Sequence, residues 1–113
     1  MEFKPEMGYT GDWVNDMKHG KGTYHWENGM SYEGNWVSNK RVGQGMFSWP
    51  TGQVFSGMWV NDKRTGPGTL LMPDSTRVDG IWKNDALNGP VKMFDKNGTF
   101  VQNAVFKNNR KIE

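Results

Sequence analysis

The chain has no cysteine among its 113 residues. That absence excludes a disulfide frame, a thiolate metal site and a cysteine nucleophile, and it fits a reducing compartment. Charge of one sign is also missing. Fourteen basic side chains stand against 12 acidic ones, a formal +2, so the bulk balance gives no reason to expect nucleic acid. No apolar run approaches the roughly 20 residues that span a bilayer, and the opening MEFKPEMG has no signal-peptide core. These absences predict a soluble, cytoplasmic chain. Aliphatic side chains are scarce as well. Hydrophobic residues make up 35%, against an apolar share of roughly 45–50%, glycine included, in ordinary domains. The 15 glycines that close the gap cannot fill a core.

What is plentiful is aromatic: six Trp, six Phe and three Tyr. So many rings exclude a disordered chain, and with few aliphatics they suit a thin sheet better than a two-layer sandwich. The rings fall in register. Tyr9, Gly11 and Trp13 recur as Tyr32, Gly34 and Trp36, as Phe55, Gly57 and Trp59, and as Val78, Gly80 and Trp82, at a constant step of 23 residues. A second motif keeps the same step: Gly20, Gly22 and Tyr24, then Gly43, Gly45 and Phe47, then Gly66, Gly68 and Leu70. Its fourth copy, Gly89, Val91 and Met93, loses the second glycine. A fixed period of this length marks a repeat array.

Within each copy the period is two, the signature of strands. Tyr32, Gly34 and Trp36 share one face and Glu33 and Asn35 the other; Gly45, Phe47 and Trp49 likewise oppose Met46 and Ser48. Two strands of about five residues per copy are expected, joined by polar linkers such as 37–42, 14–19 and 60–65. The second connection carries Glu27-Asn28-Gly29, Pro50-Thr51-Gly52, Pro73-Asp74-Ser75 or Asn97-Gly98. Asn-Gly is a strong hairpin signal because both residues tolerate positive φ. The sequence therefore predicts an all-β fold: a single-layer antiparallel ribbon of β-hairpin repeats, solenoid-like, about 40 Å long for four hairpins. The repeats are 9–31, 32–54, 55–77 and 78–101, followed by a degenerate C-terminal cap, 102–113, in which Gln102–Phe106 fits only with a 24-residue step. Residues 1–8 form an N-terminal segment, read as a partial repeat because Phe3-Lys4-Pro5 sits where Trp49-Pro50 lies, or as a frayed tail.

The pattern Tyr32-Glu33-Gly34-Asn35-Trp36, together with His19-Gly20-Lys21-Gly22-Thr23-Tyr24, resembles the membrane occupation and recognition nexus (MORN) repeat. The resemblance covers roughly residues 9–100 and departs from the family at Val78, Val91, Asp95 and the cap. It implies a curved hairpin ribbon used as a scaffold, dimerisation module or partner-binding arm at cytoskeletal, ciliary or membrane-adjacent structures, with phospholipid binding as a weaker implication. Choline-binding cell-wall repeats are the rival. They place rings side by side, whereas here the rings are spaced and the Gly-x-Gly motif is foreign to them.

No catalytic residues, metal ligands or cofactor are expected. His19 and His25 are the only histidines and have no repeated partner; Asn97-Gly98-Thr99 is a glycosylation sequon by pattern only. The Gly-x-Gly motifs lack a following helix and a Walker lysine, so they are strand glycines that admit a ring or backbone. An unbacked sheet leaves one side of its rings open, which predicts a partner-binding groove of Tyr9, Trp13, Tyr24, Trp26, Tyr32, Trp36, Phe47, Trp49, Phe55, Trp59, Leu70, Met72 and Trp82. The expected partner is a helix or peptide of another protein. Alternatives are a homodimer, as an assembly unit, and an anionic membrane surface touched by Lys18, Lys40, Arg41, Lys63 and Arg64 along one edge.

Overall fold

The computed structural model describes residues 2–3 and 8–112. Twelve strands form one open antiparallel sheet: β1 (Glu2–Phe3), β2 (Tyr9–Val14), β3 (Met17–His25), β4 (Ser31–Val37), β5 (Lys40–Ser48), β6 (Val54–Val60), β7 (Lys63–Leu71), β8 (Arg77–Lys83), β9 (Ala86–Leu87), β10 (Gly89–Phe94), β11 (Phe100–Lys107) and β12 (Arg110–Lys111). Consecutive strands pair along the sheet except at β9, which pairs β8 alone while β10 also pairs β8. The described residues contain no helix. The longest extent is 47 Å, against 24 and 21 Å across. A strand does precede Tyr9, since Glu2 pairs opposite Trp13; Lys4 and Pro5 lie outside the described residues.

Two kinds of turn build the ribbon, and their assignment differs from the sequence expectation. The polar linkers are not six-residue loops. The chain reverses in two residues with positive φ at both: Asn15-Asp16, Ser38-Asn39, Asn61-Asp62, Asn84-Asp85 and Asn108-Asn109. This is the type I′ geometry whose twist suits a hairpin. The strand after each of the first three turns starts at once, so β3, β5 and β7 run nine residues rather than five. The other connection, Trp26–Met30 in the first copy, is wider. Trp26 N–H donates to Met30 O at 2.9 Å and Gly29 N–H to Trp26 O at 3.1 Å. Gly29, not Asn28, takes the positive φ there; Asn28 accepts the Met30 N–H instead. In the third copy Ser75 occupies the glycine's place at φ 73°.

Each Gly-x-Gly pair divides its labour. Gly43, at φ 66°, sits in a bulge: Gly34 opposes Gly45, yet Asn35 already opposes Val42. The bulge lets the long second strand keep step with a shorter first strand. The second glycine, Gly45, stays in the ladder beside Gly34 and Gly57. At the cap the 24-residue step is absorbed by a register shift opposite Met93 and Phe94, which places Ala104 in the glycine column and Phe106 at the Trp position.

Candidate functional site

The ring face is built on the glycine column. A Cβ at Gly22 would collide with the Tyr9 ring, one at Gly45 with the Tyr32 ring, and one at Gly68 with the Phe55 ring. The rings therefore lie down on bare backbone instead of standing off the sheet. The Tyr9 hydroxyl donates to Asp12 O at 2.8 Å and the Tyr32 hydroxyl to Asn35 O at 3.2 Å, fixing that pose. Burial pushes the Tyr32 phenol up to about 12. Burial, then the Asp12 charge, raises that of Tyr9. The fourth copy shows the same logic with smaller parts. Val78 takes the Tyr slot, and Val91 takes the slot of Gly22, Gly45 and Gly68; Val91 and Leu87 pack against Gly80 where a ring would lie.

Each Trp then crosses back onto the preceding copy. Trp36 meets Tyr9 edge-on at 5.8 Å, Trp59 meets Tyr32 at 5.4 Å, and Trp82 meets Phe55 at 4.7 Å. Trp36 Nε1 also donates to Gly22 O at 3.1 Å. These edge-to-face contacts, each worth about 0.5–1.5 kcal/mol beyond area, hold one repeat to the next.

The predicted groove residues separate into two groups. Tyr9, Trp13, Tyr32, Trp36, Phe47, Phe55, Trp59 and Trp82 are buried by the ribbon itself, none above 6% exposed. Tyr24, Trp26, Trp49, Leu70 and Met72 are half-buried. Tyr24, Trp26, Met30, Trp49 and Leu70 pack against the buried rings, with ring contacts from Tyr24 to Trp26 (4.7 Å), Trp26 to Phe47 (5.4 Å) and Phe47 to Trp49 (4.6 Å), and Met72 continues the row at the register position of Trp26 and Trp49. The accessible part of the groove is this ledge.

The expected cationic edge separates in the same way. Arg41 lies over Trp59 at 4.5 Å and Phe47 at 5.5 Å while its Nε meets Asp62 Oδ1 at 3.1 Å. Arg64 lies over Phe55 and Trp49 and meets Asp85 at 2.7 Å. Lys18 hangs over Tyr9, Trp13, Tyr24 and Trp36, 5.2–5.9 Å from their centroids. Only Lys40 and Lys63 of the five stand exposed. The three inward cations are lids on the rings, an arrangement that charge counting along the chain did not reveal.

A clasp underlies these lids. The second turn residue of each later hairpin grips the second residue after the previous turn. Asn39 N–H donates to Lys18 O and its Oδ1 accepts the Lys18 N–H at 2.8 Å. Asp62 does the same with Arg41, Asp85 with Arg64, and Asn109 with Leu87.

The opposite face, where alternation places Met46, is partly apolar. Met46, Met58, Ile81, Val37 and Val60 are exposed there. A shallow hollow of about 570 Å³ is lined by Lys21, Glu33, Gln44, Met46 and Ser56 over the glycine column. No group of three or more His, Asp or Glu that could hold a metal occurs among the described residues. The family model of the MORN repeat matches residues 9–31, 32–54 and 55–77. No curated protein matches the chain.

Proposed function

This chain belongs to the MORN repeat family, a family of non-enzymatic repeat modules, and we propose that it is an adaptor whose ledge receives a peptide or helix of another protein. The observation that supports this reading is the row Tyr24, Trp26, Trp49, Leu70 and Met72: large apolar side chains left half-buried across three successive repeats. Binding hot spots favour such anchors, Trp and Tyr above all, surrounded by polar groups that exclude water. The lids Lys18, Arg41 and Arg64 supply that polar border on one side.

Selection from a random peptide library displayed on phage tests it. Sequences enriched on the parent chain should lose binding to Trp26→Ala with Trp49→Ala and keep it for Met58→Ala on the opposite face. Enrichment that ignores the ledge pair, or that follows Met58, would place the binding surface elsewhere.

Self-assembly is the second reading, and the edge of β11 favours it. β12 covers only Phe106 and Lys107, and Ile112 N–H reaches Val105 O at 2.8 Å. Among the described residues no strand pairs with 100–104 on that side; these residues carry no charge and expose Phe100 and Val101. Bare, uncharged edges pair with other strands. Asn103, two residues before Val105, points its N–H to the same open side. Sedimentation should show a concentration-dependent dimer that Asn103→Pro abolishes; a parent chain monomeric at all concentrations removes this reading.

A further inference from the structure

One slot recurs through the ribbon with changing occupants. Lys18, Arg41 and Arg64 follow successive two-residue turns, and each is gripped by the turn of the next repeat, through Asn39, Asp62 and Asp85 respectively. At the second and third positions the gripping residue is a carboxylate, which neutralises the arginine lying on the rings, at 3.1 and 2.7 Å. The first position breaks this pairing. Lys18 Nζ sits within 6 Å of four ring centroids, yet Asn39 offers it no charge, and no carboxylate pairs with it among the described residues.

This ammonium opens into a hollow of about 200 Å³ floored by Tyr24, Trp26 and Trp36 and bordered by Arg41 and Asp62. Two cations against one carboxylate leave the hollow with one positive charge. Half-buried beside aromatic faces, that charge is poorly hydrated, so an incoming anion gains more here than on open surface. Tyr24 and Trp26 belong to the proposed ledge, so apolar side chains next to the anion would rest there.

We propose that this hollow binds an aspartate or glutamate side chain of a partner peptide, flanked by apolar residues, with that carboxylate serving Lys18 as Asp62 serves Arg41. The inference rests on the ledge as the peptide site and names the chemistry the ledge selects. A membrane surface fits less well. Anionic lipid is held by clusters of four or more free cations, and the neighbouring Arg41 and Arg64 are already paired.

The test compares pools selected from a random seven-residue phage library on three full-length chains: the parent, Asn39→Asp and Lys18→Met. Asp62 and Asp85 occupy the same slot as Asn39, so Asn39→Asp keeps the clasp while giving Lys18 an internal carboxylate. The parent pool should be enriched about fivefold in Asp or Glu beside aromatic or aliphatic residues. Both variants should lose the acidic enrichment and keep the apolar one. An apolar pool without acidic preference on the parent overturns the carboxylate site and leaves the ledge standing. Acidic enrichment that survives both variants overturns it too. Pools on every chain that ignore Trp26→Ala with Trp49→Ala would take the ledge down with it. Binding to phosphatidylserine vesicles that Asn39→Asp abolishes, with no acidic peptides selected, would reassign the hollow to a lipid headgroup.

Discussion

At the scale of single residues, stability turns on rings lying against glycines. A side chain at Gly45 would be driven into the Tyr32 ring, so Gly45→Val should cost about 1–3 kcal/mol through overpacking. The fourth copy shows how the cost is relieved, because with Val78 in place of the ring, Val91 and Leu87 fill the space against Gly80. Adding Tyr32→Val to Gly45→Val should therefore recover part of the loss. A double-mutant cycle in urea measures the coupling, and strict additivity would contradict the platform geometry. Tyr32 also sets an alkaline limit. Its folded phenol titrates at about 12, whereas an unfolded one titrates near 10. Below pH 10 both states hold the proton and stability is flat. As pH rises from 10 through 12 the unfolded chain loses it first, so stability falls across that window. Tyr32→Phe, mimicking Phe55 in the same slot, should flatten the fall and leave the smaller part due to Tyr9; denaturation midpoints at pH 9, 10, 11 and 12 decide it.

At the scale of hairpins, the turns hold their neighbours as well as reversing the chain. Asp62 contributes two backbone clasps to Arg41 and an ion pair. Asp62→Asn keeps the clasp, as Asn39 and Asn109 demonstrate at their own junctions, and should cost under about 1 kcal/mol, the worth of a part-exposed pair. Asp62→Ala leaves the Arg41 N–H without that acceptor and should cost about 1–3 kcal/mol. Thermal unfolding of both variants checks the order; equal losses would mean that charge, not the clasp, matters. The clasp also explains what the sequence withheld. Two hairpin strands per repeat and their facing were legible from the period of two. The tight turns were not, because Ser38-Asn39, Asn61-Asp62 and Asn84-Asp85 lack glycine, and each is held by a backbone 21 residues earlier. Asn28-Gly29 looked like the tighter turn on local chemistry alone. Lys18, Arg41 and Arg64 read as free edge charges for the same reason, since the turn residues that clasp them come from the next hairpin.

At the scale of the whole ribbon, the constant 23-residue step made the array and its one-sheet topology readable, and the 47 Å extent agrees with a length built strand by strand. How far the rings would close was not readable. Strand alternation says which face a ring takes, but only the glycine platform lets it lie flat and be sealed by the next Trp. If the structure is a chain of equivalent junctions, one repeat should be removable. Deleting residues 32–54 joins Ser31 to Phe55 and presents the same parts to the first repeat: Phe55 for Tyr32, Gly57 for Gly34, Trp59 for Trp36, and Asp62 for Asn39. Trp59 should then cross onto Tyr9, and the Asp62 turn should clasp Lys18, supplying the carboxylate that Asn39 lacks. The shortened chain should fold and unfold in one transition, because nearest-neighbour terms carry a solenoid's cooperativity. Its urea m-value should drop by about a fifth, in proportion to the residues removed. Small-angle scattering should show a particle shorter by about 10 Å, the width of two strands. A deletion chain that aggregates, or that melts in a broad non-cooperative slope, would show that the second repeat holds something its neighbours cannot replace.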